Sequence, residues 1–104
     1  MERYKIVFDS LAWQVPAAGV RFKVFRDGSM QVRLVEFTSG FVEHDWCEKG
    51  HIRVVLKGEL EIDFRGRIVH YPEGSGIFIP VGPESGHKAG SVTSSILLFL
   101  VEEV

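Results

Sequence analysis

Three of the four histidines, His44, His51 and His87, fall among glycines and prolines between Gly40 and His87. Their spacing suits a metal pocket in a β-barrel. A neutral imidazole binds zinc and the first-row transition metals, so histidines gathered at a barrel mouth would leave open positions for a substrate. Cys47 and Glu48 stand between His44 and His51 as alternative ligands. A thiolate binds zinc or iron, whereas a carboxylate suits harder ions. Glu43, beside His44, can orient an imidazole from behind. Arg33 and Arg53 lie on apolar strands, where an arginine inside a barrel clamps a carboxylate or phosphate with two parallel hydrogen bonds. His70, in the alternating run Arg67 to Tyr71, reads as structural or exposed.

The elements that must position these residues are strands. Apolar residues recur with a period near two, in short runs broken by Gly, Pro, Ser and Asp, and no longer window carries a helical stripe. The pattern predicts strands at Tyr4 to Phe8, Val20 to Phe25, Gln31 to Phe37, His51 to Lys57, Glu59 to Phe64, Arg67 to Tyr71, Gly76 to Pro80, Gly86 to Ala89 and Ser94 to Glu102. Asp27 and Gly28 suit a hairpin turn, and Gly58 and Gly66 interrupt successive strands closely. Leu11 to Gly19 is apolar but broken by Pro16, and reads as an arm packed over a barrel end. From His51 to Lys57, apolarity alone turns Ile52, Val54 and Leu56 inward and leaves His51 outside. Ile96 to Val101 is apolar on both faces, as in a central strand or one buried against another subunit. A homodimer is therefore expected.

With 104 residues, 45% of them hydrophobic, and no apolar run near membrane-spanning length, the chain reads as one domain over 1–104 with one core. Met1 to Phe8 interleaves Glu2, Arg3 and Lys5 with apolar residues, unlike a signal peptide, so a cytoplasmic location without membrane partners is expected. Twelve basic and fourteen acidic residues give a net charge of -2 with no block of either sign, so no nucleic-acid partner is expected. The single cysteine, Cys47, excludes an intrachain disulfide. Ser85 and Ser94 have no base at a readable spacing, and the Gly74 and Gly76 pair lacks a Walker lysine.

From Gly40 the chain runs through His44, Trp46, His51 and Gly58, with six residues between the last two; Gly74, Pro80, Gly82 and His87 follow. This framework resembles the two signature motifs of the cupin superfamily, as do "VVLKGELEIDF", from Val54 to Phe64, and "GSGIFIPVG", from Gly74 to Gly82. The resemblance implies an all-β double-stranded β-helix, a jelly-roll barrel of two packed antiparallel sheets, with a metal site inside. Trp46 stands where the family's second histidine would be, and would wall the pocket. His51 stands where its glutamate would be. Ser85 occupies the usual position of the last histidine, and His87 follows two residues later on what would be the same strand face. The motif positions thus put His51 in the pocket, against the apolarity of its strand.

The resulting expectation is a divalent ion (iron, zinc, nickel or manganese) on His44, His51 and His87, with a small anionic or oxygen-rich ligand. Dioxygenase or isomerase-like chemistry would follow. A three-nitrogen site has no carboxylate to offset the ion's charge, so it would favour anionic or chelating ligands. The competing expectation is a metal-free binding or sensing barrel, because two family ligand positions are substituted and a third is displaced.

Overall fold

The computed structural model of the protein describes residues 4–38, 40–91, 93 and 95–104. Nine strands form among them: β1 (Gln14–Ala17), β2 (Val20–Asp27), β3 (Met30–Thr38), β4 (His51–Lys57), β5 (Leu60–Phe64), β6 (Arg67–Tyr71), β7 (Gly76–Ile79), β8 (Lys88–Ser91) and β9 (Ser95–Glu103). They pair into a six-stranded antiparallel sheet, β1-β2-β3-β9-β4-β7, and a three-stranded one, β6-β5-β8. The two sheets do not close into one continuous barrel.

Chain reversals follow local chemistry. Arg65 and Gly66, the two residues between β5 and β6, both take positive φ (54° and 103°), the pair of left-handed conformations a two-residue hairpin needs. Asp63 Oδ1 accepts the Gly66 amide at 2.7 Å and holds the turn. The expected arm is partly a strand, since β1 runs through Pro16 at the edge of its sheet, where proline costs no ladder bond. Tyr4 to Phe8 forms no strand: it leads into a 3₁₀ turn at Phe8–Ser10, and Lys23 Nζ donates to the Phe8 carbonyl at 2.9 Å. Met1 to Arg3, and Ser94 at the expected start of the last strand, lie outside the described residues.

The core lies between the sheets. Leu60 and Ile62 from β5 meet Val55, Ile96, Leu98 and Leu100 from the larger sheet, all almost wholly buried. Each such side chain contributes about 1.5–3 kcal/mol of transfer free energy. The outward rows of the larger sheet are also apolar. Phe78, Ile52, Val101, Val32 and Phe25 are consecutive register partners across five strands, which accounts for the two-faced apolarity of β9.

Candidate metal centre

β4 resolves the conflict over its faces. His51, Arg53 and Val55 point inward and are buried, while Ile52, Val54 and Leu56 are exposed. The polar residues of this strand therefore line the interior, and its aliphatic row looks outward.

The second histidine arrives through backbone pairing. His87 precedes β8 and exchanges two main-chain hydrogen bonds with Cys47: Cys47 N–H to His87 O at 2.8 Å and His87 N–H to Cys47 O at 3.0 Å. Residues paired in this way present their side chains on one face of the ladder. Cys47 Sγ lies 3.4 Å from His51 Nε2, and the His51 and His87 rings meet edge to face with centroids 5.1 Å apart. One donor atom from each of Cys47, His51 and His87 lies within 4.8 Å of the others.

The residues around the donors fix their orientation. His87 Nδ1 is 2.9 Å from the Ser85 carbonyl, so that nitrogen carries the proton and donates it. Nε2 then presents its lone pair, and it is buried with no hydrogen-bond partner among the described residues. His51 Nδ1 faces Glu102 Oε2 at 3.6 Å, an ion-pair contact longer than a hydrogen bond. Glu102 Oε1 in turn accepts Gln31 Nε2 at 2.5 Å and lies 2.6 Å from Arg33 Nε, off the N–H direction. A carboxylate behind an imidazole is the arrangement that orients and strengthens metal-binding histidines.

Burial lowers the His51 pKa below its ordinary value, only partly opposed by Glu102, so the ring is neutral at pH 7 as a ligand must be. For Glu102, burial alone would raise the pKa, but His51, Gln31 and Arg33 outweigh it and hold the carboxyl at about 2. Both shifts stabilise the fold at neutral pH. The His51 contribution is complete above about 6.5 and is lost as pH falls below that, while the Glu102 contribution is complete above about 4.3 and is lost as pH falls toward its folded value. Melting temperatures of the metal-stripped protein should therefore fall in two stages on acidification. Glu102→Gln should remove the lower stage, worth about 2 kcal/mol once solvent at the carboxylate is allowed for. An unchanged melting curve below pH 5 in that variant would contradict the assignment.

The remaining sequence candidates separate. His44 is exposed and stands outside the donor group. The Glu43 amide bonds to Ala89 O and the Cys47 amide to His87 O, so His44, Asp45 and Trp46 face the single residue Lys88 and bow outward. Trp46 does not wall a pocket as expected: it lines neither the groove beside His51, Phe78 and Glu102 nor the cavity beside Arg53, and Arg65 and Lys88 each approach its ring at 4.6 Å. Glu48 is exposed, 3.7 Å from Arg65. Ser85 acts through its carbonyl rather than its hydroxyl. Glu43 Oε1 accepts the Ala89 amide at 2.9 Å, and Glu43 lines a cavity of about 220 Å³ on the inner face of the larger sheet with Arg33, Arg53, Phe22, Phe37 and Phe41. Sequence reasoning passed over Glu102 and Gln31, although the polar Glu102 ending an apolar strand was a visible signal.

Two nitrogens and one sulfur, all within 4.8 Å of one another, are a donor set that could hold a tetrahedral ion. Zinc bonds of 2.0–2.1 Å to nitrogen and about 2.3 Å to sulfur imply a nitrogen-to-sulfur edge of about 3.5 Å, close to the 3.4 Å between Cys47 and His51. The thiolate also supplies the negative charge that a three-histidine site would lack. The donor set therefore fits a divalent metal, and a fourth position remains for a ligand.

Two packed antiparallel sheets with inward donors on β4 and before β8 define a small cupin-type architecture, and comparison with solved structures agrees. The chain has the cupin fold. KdgF from Halomonas sp. is similar at TM-score 0.74 and 21% identity, over 91% of this chain and 90% of that one. The polyketide cyclase RemF from Streptomyces resistomycificus is similar at TM-score 0.82 and 16% identity, over 98% and 80%. A cupin-superfamily sugar phosphate isomerase from Silicibacter pomeroyi is similar at TM-score 0.78 and 16% identity, over 93% and 73%. No protein-family model and no curated protein sequence matches the chain. Among the described residues no helix is long and apolar enough to cross a membrane.

Proposed function

We propose that the protein binds one divalent metal ion through Cys47, His51 and His87 and presents it to a small anionic or oxygen-rich ligand, in an isomerase-like or dioxygenase-like role. The observation that carries this reading is His87 Nε2, a buried lone pair without a partner. An unsatisfied buried polar atom costs about 1–3 kcal/mol, which a bound cation would recover. When bound, such an ion polarises a coordinated oxygen. The chain's own residues then have separate tasks: the Ser85 carbonyl fixes the His87 tautomer, and Glu102 holds the His51 ring. The structural neighbours include proteins named as an isomerase and a cyclase, which is compatible with enzymatic use of the same fold.

The test is cobalt substitution. Cobalt(II) should bind at one equivalent and show a sulfur-to-metal charge-transfer band that Cys47→Ser removes and His44→Ala retains. A band that survives Cys47→Ser excludes the thiolate.

A metal-free binding protein is the second reading, favoured by the cavity beside Arg53, which contains none of the three donors. Chelator treatment that leaves both melting temperature and ligand binding unchanged would support it. We also propose a cytoplasmic homodimer packed through the outward apolar row, where Phe78 is 77% and Ile52 55% exposed. Phe78→Glu should turn a dimer into a monomer in size-exclusion chromatography, and a wild type that is monomeric at high concentration would rule the dimer out.

A further inference from the structure

We propose that Arg53 anchors a small monocarboxylate with an apolar body, seated in the cavity against the inner face of the larger sheet, two residues along β4 from the His51 donor. The inference deepens the metal-centre reading by naming a ligand class for the same interior.

Arg53 is 6% exposed, its Nε is buried with no hydrogen-bond partner, and no ion pair within 4.0 Å reaches its guanidinium among the described residues. A buried cation without a partner is costly, and arginine does not escape the cost by losing its proton. Glu43 and Glu102 are close enough to attract it, but each bonds elsewhere. Arg33 pairs with Glu102, and Glu43 accepts the Ala89 amide. Arg53 lines a cavity of about 220 Å³ whose other walls include Phe22, Phe37, Phe41 and Leu98. A planar guanidinium in an apolar chamber is matched by a carboxylate, which takes two parallel hydrogen bonds. The chamber is smaller than the roughly 300–1,000 Å³ of pockets for drug-sized molecules, so the acid must be small.

Charge counting narrows the class. Arg33 and Arg53 balance Glu43 and Glu102, leaving the metal-free interior neutral apart from its donors. A divalent ion held by one thiolate adds one net positive charge, which a monoanion cancels and a phosphate dianion exceeds. His51 and Arg53 are two residues apart on one strand face, about 6.6 Å along the strand, which sets the anchor near the donor group although only Arg53 lines this cavity.

The test is calorimetric titration of phenylacetate, its neutral amide and phenyl phosphate into wild-type protein, Arg53→Lys and Arg53→Gln, each with and without zinc. Phenylacetate should saturate the wild type, and the amide and phenyl phosphate should bind at least about tenfold more weakly. Arg53→Lys should weaken phenylacetate about tenfold through loss of the two-pronged contact, and Arg53→Gln should abolish binding. Zinc stoichiometry should be unchanged in both variants, and circular dichroism confirms that Arg53→Lys is folded. If the wild type takes no zinc but phenylacetate still depends on Arg53, the metal reading fails and the anchor stands. If zinc binds while phenylacetate does not, or the amide or phenyl phosphate binds as well as the acid, or Arg53→Lys and Arg53→Gln bind phenylacetate like the wild type, the anchor is overturned.

Discussion

His87→Ala is expected to weaken zinc binding by more than about a hundredfold, beyond the 10–100-fold usual for residues that only support a ligand. His87 is fully buried, its ring is held by the Ser85 carbonyl, its Nε2 has no hydrogen-bond partner among the described residues, and a ring nitrogen lies within 4.8 Å of the other two donors. Removing it takes away one of three protein ligands and the one whose lone pair has no other use. Because the substitution also opens a cavity in the interior, Cys47→Ser serves as the near-isosteric companion and should give a loss of similar size. Glu102→Gln should fall lower, about tenfold, since it acts only through His51. His44→Ala should change nothing. Competition titration with a chromophoric chelator reads all four, and a series in which His44→Ala loses zinc while His87→Ala keeps it would reverse the assignment.

The largest effect on stability is expected at Gly58, in the tight connection from β4 to β5. Its φ is +83°, and a Cβ there would run into the Ser95 carbonyl oxygen and lie 2.7 Å from Thr93 Oγ1. Thr93 accepts the Glu59 amide and donates to the Ser95 carbonyl, so it cannot move without losing both bonds. Left-handed strain of roughly 1–2 kcal/mol adds to an overpacking cost of roughly 1–3 kcal/mol, about 3 kcal/mol in all for Gly58→Ala. For a domain of this size the melting temperature should drop by more than about 10 °C. A variant melting within a few degrees of the wild type would show that this turn opens without cost.

Most strand positions were legible in the sequence because period-two apolarity and turn residues are local signals; their order in the sheets was not, because it depends on pairing between residues remote in sequence. β4 and β6 occupy the expected residues, and the Gly28 and Gly66 turns fall where their chemistry placed them. The direction in which β4 faces was not legible from apolarity. Ile52, Val54 and Leu56 are the greasier row, yet they look outward because the interior row carries the polar site and both faces of the larger sheet are apolar. Motif spacing placed His51 inside where hydrophobicity did not. The same spacing favoured His44 over Cys47, because the outward bow of residues 44–46 depends on two backbone pairings with residues 87–89, remote in sequence. The partner of Glu102 was not legible for a similar reason: it meets His51 only because β9 and β4 are neighbours.

That bow has a consequence for how such a domain can diversify. With its two ends pinned to a neighbouring strand, the stretch from His44 to Trp46 can lengthen, shorten or change composition while the sulfur and imidazoles behind it keep their places. This exposed stretch is thereby free to drift in sequence, on a foundation that does not shift.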